Sequence, residues 1–221
     1  WVYMVTLTVR HERGDALAEL KDGVTGALRK AQQGAPYKRL QEAGLIGVFR
    51  NVETRHSDRT GWNPHLHCLV AVDEPDEGTA RQIARTLVDR YLARIRKDGL
   101  SAELAGQDVK LCYDPEKAGE YAGKGALELA HGWAKQGKTG SVHPFELARR
   151  AADDRDGRAA GLFREYADVM PGTPQGRISD RVVRELAARL DRDESELAAW
   201  LRHGEGEDEA EPGDETVKAT D

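Results

Sequence analysis

The sequence predicts an α+β fold: a central, mostly antiparallel sheet with flanking helices, then a helical C-terminal extension and a disordered acidic tail. Three observations carry this expectation. Segments at 2–10, 45–55, 65–72 and 108–113 are rich in apolar residues at strand length and spacing. Longer segments between and after them repeat their apolar residues at helical spacing. Residues 204–221 hold eight acids and a single base, Lys218, a composition that resists folding.

The elements follow in order. Val5, Leu7 and Val9 alternate with Met4, Thr6 and Thr8, which is strand periodicity. The chain begins at Trp1, already inside this pattern, and so reads as a piece of a longer protein. Gly14 breaks the strand, and Asp15 is expected to cap a helix that carries Leu17, Leu20, Val24 and Leu28 to about Lys30. A short helix at Tyr37–Glu42 follows Pro36. Strands at Leu45–Arg55 and His65–Val72 are joined through the polar turn Ser57–Gly61, so they should form an antiparallel hairpin. Ala80, Ile83, Ala84, Leu87, Tyr91 and Ile95 mark a long helix ending near Gly99. A strand at Asp108–Tyr113 precedes Asp114-Pro115, which opens a helix bearing Tyr121 and Lys124. Helices are expected at 144–153, 158–169, 179–190 and 193–203, with Pro171-Gly172 and Pro174 as a break. The domain reading is 1–140, 141–203 (helical extension) and 204–221 (tail).

Composition narrows the class. With 39% hydrophobic and 33% charged residues the chain reads as a soluble, folded protein. It has no apolar run near the roughly 20 residues of a membrane span and no signal-peptide pattern, so no membrane partner and a cytoplasmic location are expected. Cys68 and Cys112 fall in different strands without metal-site spacing and read as reduced, buried thiols. The tail supplies −7 of a net charge of −6, which leaves the remainder near neutral. Nucleic acid would then have to be met by a local basic patch. Lys38, Arg39, Arg59 and Lys135 are candidates, and each reads equally well as solvated surface.

His65 and His67 stand two apart on a strand and project from one face. Two adjacent imidazoles can share a metal ion, though the spacing alone is also that of an ordinary half-buried strand. Glu53, on the neighbouring strand, shares a face with Phe49 and Asn51, and antiparallel pairing could bring its carboxylate to the imidazoles. The competing reading pairs Glu53 with Arg50 or Arg55. His56 faces away by alternation. Two histidines and one carboxylate leave coordination positions open for metal-assisted catalysis. Tyr121 and Lys124, three apart on a helix, share a face. Tyr121 can serve as a nucleophile, and a cation nearby would lower its phenolic pKa from about 10. A packed ring and a solvated lysine is the plainer alternative.

Taken together these segments resemble the replication initiators of rolling-circle plasmids, within the HUH endonuclease superfamily, and most resemble the branch on actinobacterial plasmids. Thr6-Leu7-Thr8 resembles the family's first strand motif. Pro64-His65-Leu66-His67, preceded by Gly61-Trp62, resembles its His-hydrophobe-His motif. Tyr121-Ala122-Gly123-Lys124 resembles its Y-x-x-K nucleophile motif, and Glu53-Thr54 its acidic position. The resemblance spans roughly residues 2–170 and continues weakly through His143–Leu147 and Phe163–Tyr166. Asn63 stands where the family usually has His. Lys117 stands where some relatives carry a Glu that ends the cycle, with Glu116 and Glu120 beside it. The resemblance implies a sequence-specific single-strand DNA endonuclease and strand transferase. Its ion would be Mg²⁺ or Mn²⁺ on His65, His67 and Glu53. Its nucleophile would be Tyr121, giving a 5′-phosphotyrosine, with Lys124 in support. Its substrate would be single-stranded or extruded origin DNA, with host helicase and polymerase as partners. Alternatives are a transposase or relaxase of the same superfamily, a non-catalytic DNA-binding regulator, and an unrelated metallohydrolase.

Overall fold

The computed structural model describes residues 1–112, 140–174 and 176–203, with side chains as far as 199. Two compact units are present, Trp1–Val182 and residues 183–221. The first unit contains β1 (Val2–Leu7), α1 (Leu17–Ala31), α2 (Gly34–Glu42), β2 (Leu45–Ser57), β3 (Gly61–Val72), α3 (Glu77–Lys97) and β4 (Asp108–Leu111). It continues through α4 (Pro144–Asp153), α5 (Gly157–Val169) and β5 (Gly176–Ile178). The strands form one five-stranded sheet in the order β4-β1-β3-β2-β5, and every pairing is antiparallel. The expected class is thus the observed one.

Among the described residues, helices α1 and α3 cover one face of the sheet. Tyr3, Val5 and Leu7 of β1 lie beside Val70, Cys68 and Leu66 of β3, and all six are nearly solvent-free. On this face α1 packs on β3 and α3, and α3 packs on β1, β3 and β4. The alternate residues, Met4 and Thr6 of β1 with His67 and Leu69 of β3, point the other way and are half-buried. That second face also carries Asn51, Glu53 and Arg55 of β2 and Asn63 and His65 of β3.

The hairpin is longer than the apolar pattern suggested. β2 and β3 pair from Leu45↔Val72 to Ser57↔Gly61, with an irregularity between Leu45 and Gly47. Periodicity missed the outer rungs because they are polar, and backbone pairing does not require apolar side chains. The turn closes through Ser57 Oγ, which accepts the Thr60 amide at 3.0 Å. Gly61 has φ +74°, and a Cβ there would lie 2.9 Å from the Glu12 carbonyl oxygen. Both facts require glycine at this position.

Three local expectations are corrected. Asp15 does not cap α1: its carboxylate accepts the Glu12 amide at 2.7 Å, tightening the preceding turn. The first-turn amide of Leu17 is satisfied instead by Glu165 Oε1 at 2.9 Å, from a residue far away in sequence. Residues 176–178, inside the expected break, form the edge strand β5 against Phe49–Asn51. Three residues are too few to show alternation. Cys68 is buried as expected, but Cys112 is only partly buried, and both are free thiols. The helix expected after Asp114, with Tyr121 and Lys124, lies in 113–139, outside the described residues, as do Lys135 and the tail.

The second unit, described alone, holds most of α6 (Asp180–Leu190) and all of α7 (Glu194–His203). Asp193 Oδ1 accepts the Ser195 and Glu196 amides and so caps α7. Among the described residues, no helix is long and apolar enough to cross a membrane.

Gly61→Ala should destabilise the first unit by about 1–3 kcal/mol, from positive φ and the contact with Glu12. Urea denaturation reads this directly, and an unchanged midpoint would contradict the turn packing.

Candidate metal centre

The hairpin register builds the site on the second face of the sheet. Glu53 is directly opposite His65, and Asn51 is opposite His67. All four side chains therefore project to one face, and residues two apart along a strand lie roughly 6.5–7 Å from each other. Glu53 reaches across this spacing with one oxygen. Its Oε2 lies 3.2 Å from His65 Nε2 and 2.9 Å from His67 Nε2. The two rings meet edge to face with centroids 4.9 Å apart. One donor atom from each residue falls within 4.8 Å of the others, so the three could hold a single metal ion.

The contacts around the rings say which atoms are free to bind. His65 Nδ1 is 3.1 Å from the Asn63 carbonyl oxygen. A carbonyl only accepts, so Nδ1 carries the proton, and in the neutral ring Nε2 presents a lone pair. His67 Nδ1 lies 3.4 Å from Thr6 Oγ1, which can accept in the same way. Two nitrogen lone pairs facing one carboxylate oxygen would repel. A proton carried by one of the three atoms, or a cation bound between them, relieves that repulsion. Burial alone would raise the Glu53 pKa. The hydrogen bonds from His65 and His67, and their charge, overcome it and hold the carboxyl well below the usual carboxylate range. Arg55 adds a longer contact, Nη1 to Glu53 Oε1 at 3.5 Å, so Glu53 joins the histidines and the arginine together.

Supporting contacts explain the Gly-Trp preceding the histidines. Trp62 is 2% exposed and faces the covered side. Its Nε1–H donates to Glu165 Oε2 at 2.8 Å, while Glu165 Oε1 accepts the Leu17 amide. One carboxylate thus ties the start of β3 to α5 and to the N-terminus of α1. Tyr166 stacks on Trp62, and His56 meets it edge-on at 4.9 Å. His56 is on the opposite face from Glu53, as alternation required. The Glu53–Arg55 contact is one of the two pairings that the competing reading offered, whereas the contacts of Thr6 with His67 and of the Asn63 carbonyl with His65 were not identified from sequence. Cross-strand register brings Thr6 to His67. His143, which precedes α4, is within electrostatic range of Glu53: burial pushes its imidazole pKa down while the Glu53 charge pushes it up.

Other sequence candidates stand apart. Lys38 and Arg39 are exposed on α2, and the polar contacts of the triad do not include them. Arg59 is exposed in the hairpin turn. Tyr121, Lys124 and Lys135 lie outside the described residues, so their distance from the triad is not defined.

Sheet and triad together describe an α+β protein in which two histidines and one carboxylate converge. The chain is similar to a protein called "Protein rep" from Streptomyces lividans, 27% identical over 206 residues, covering 68% of this chain and 45% of the relative. It is also similar to a "Neomycin resistance protein" from Streptomyces cyanogenus, 32% identical over 103 residues, covering 35% of this chain and 24% of that protein. The chain thus spans less than half the length of either relative. No family model and no solved structure matches it. The first likeness points, as the motifs do, to an actinobacterial plasmid Rep protein.

Glu53→Ala and His67→Ala should each weaken Mn²⁺ binding by at least about tenfold, the low end for losing even a supporting group. Calorimetric titration, with circular dichroism to verify folding, measures it, and wild-type affinity in both variants would remove the triad as the metal site.

Proposed function

We propose that the chain is the nicking and strand-transfer part of an initiator of rolling-circle plasmid replication. One observation carries this reading: Glu53, His65 and His67 converge on one face of the hairpin, in a chain similar to a Rep protein. Residues 1–140 would form the nicking domain, 141–203 a helical extension and 204–221 an acidic tail. The substrate would be single-stranded or extruded origin DNA in the cytoplasm.

Glu53, His65 and His67 fit a divalent ion, because two nitrogen donors and one oxygen donor already converge. When bound, Mg²⁺ or Mn²⁺ supplies Lewis-acid polarisation of the scissile phosphate. The Asn63 carbonyl and Thr6 hydroxyl orient the two rings. Tyr121 loses its phenolic proton and attacks phosphorus in line. The bond from phosphorus to the 3′-oxygen breaks, and that oxygen takes up a proton. The products are a 5′-phosphotyrosine and a free 3′-hydroxyl. One phosphoester replaces another, so a later 3′-hydroxyl can reverse the step and reseal the strand. Lys124 neutralises charge that develops on the phosphate. Lys38, Arg39, Arg59 and Lys135 would follow the DNA backbone. Host helicase and polymerase would then open the duplex and extend the 3′-end.

The test uses 3′-labelled single-stranded oligonucleotides tiling the replicon, incubated with Mn²⁺ and separated under denaturing conditions. The expected result is a protein-linked labelled band, lost with EDTA and in Tyr121→Phe, while Tyr121→Phe still binds DNA. Full nicking by Tyr121→Phe, or cleavage without any protein-linked DNA, would overturn the proposal.

A further inference from the structure

A cavity of about 390 Å³ lies beside the triad, at the turn end of the hairpin. Its walls include Arg10, His11, Arg55, Arg59 and Asn63. Three of these are guanidinium groups, and among the described residues no carboxylate lines the cavity. The size falls in the range of about 300–1,000 Å³ typical of small-molecule sites. It is larger than a single phosphate needs and suits a nucleotide unit.

Register connects the cavity to the metal centre. Arg55↔Asn63 is the next same-face rung after Glu53↔His65, roughly 6.5–7 Å along the strands. Arg55 contributes to both places: it contacts Glu53 at 3.5 Å and lines the cavity. The far wall is held by His11, whose Nδ1 lies 2.9 Å from the Thr60 carbonyl oxygen, and by the Gly61 turn packed against Glu12. The walls are therefore built by the fold. Among the described residues, Arg10 makes an exposed pair with Glu12, Asp58 in the turn is engaged by Arg158, and Arg55 shares its charge with Glu53. Asn63 Oδ1 makes no hydrogen bond among the described residues, so no bond at that atom fixes the amide in one orientation.

We propose that this cavity binds the phosphodiester and nucleotide adjacent to the scissile phosphate, on the turn side of the metal centre. The inference rests on the nicking reading above. Guanidinium groups grip phosphate oxygens through paired N–H donors. A neighbouring phosphate held here would fix the register of the strand over Glu53, His65 and His67. Phosphate contacts of this kind position a strand without reading its sequence.

The full chain is titrated with a fluorescein-labelled twelve-residue oligothymidylate in Mn²⁺ across a range of KCl concentrations, wild type beside Arg10→Ala/Arg59→Ala. Both arginines are exposed, and thermal melting checks that the variant folds. The expected result is at least tenfold weaker binding. The slope of log K against log salt should shrink by about 0.7 for each phosphate that the variant no longer neutralises, with Mn²⁺ affinity retained. Equal affinity and slope in both proteins would overturn the cavity assignment and leave the nicking proposal standing. Absence of any binding by wild type would overturn both. Orthophosphate, followed alone through the Ser57 and Gly61 amide NMR signals, should perturb them only at far higher concentration than the oligonucleotide. Saturation by orthophosphate at equal or lower concentration would assign the cavity to a free anion and overturn the proposal.

Discussion

The antiparallel register of β2 and β3 is the constraint on which the site depends. It sets Glu53 against His65, Asn51 against His67 and Arg55 against Asn63. A slip of one residue would turn every side chain to the other face. It would bring Leu66, Cys68 and Val70 out of the covered side, and each large apolar side chain exposed costs about 1.5–3 kcal/mol. The core thus chooses which face the histidines occupy. The Ser57–Gly61 turn and the Trp62–Glu165 hydrogen bond fix the outer end, where few apolar residues remain to hold it.

That arrangement places an ionised Glu53 in a partly buried position. A buried carboxylate is unfavourable unless it is paired. Here the compensation comes from two imidazoles and Arg55, all supplied by the hairpin itself. Of these groups, the two imidazoles are also able to surround a cation together with Glu53. Thr6 and the Asn63 carbonyl contact the outward nitrogens of the rings, and what orients the histidines also leaves their inward nitrogens as donors.

Much of this was legible in the sequence, for identifiable reasons. Alternation along Val5-Thr6-Leu7 and the short link between two apolar segments were enough to predict antiparallel strands and the face shared by His65 and His67. Strand parity allowed Glu53 to reach the imidazoles and equally to pair with Arg55, and the structure has both contacts. What escaped were features without local signal. Thr6 meets His67, and Glu165 meets both Trp62 and Leu17, only after the chain has folded, across sequence separations that periodicity cannot see. β5 is three residues long, and its pairing depends on the exposed edge of β2. Asp15 looked like a cap because its residue type suits one, yet its carboxylate satisfies a nearer amide.

The most direct test of the centre is an anomalous difference map from crystals of the full chain soaked in Mn²⁺. One peak is expected, bounded by Nε2 of His65, Nε2 of His67 and the Glu53 carboxylate, at coordination distances of about 2.0–2.3 Å. Manganese located elsewhere, with the Glu53 hydrogen bonds to both imidazoles intact, would contradict it.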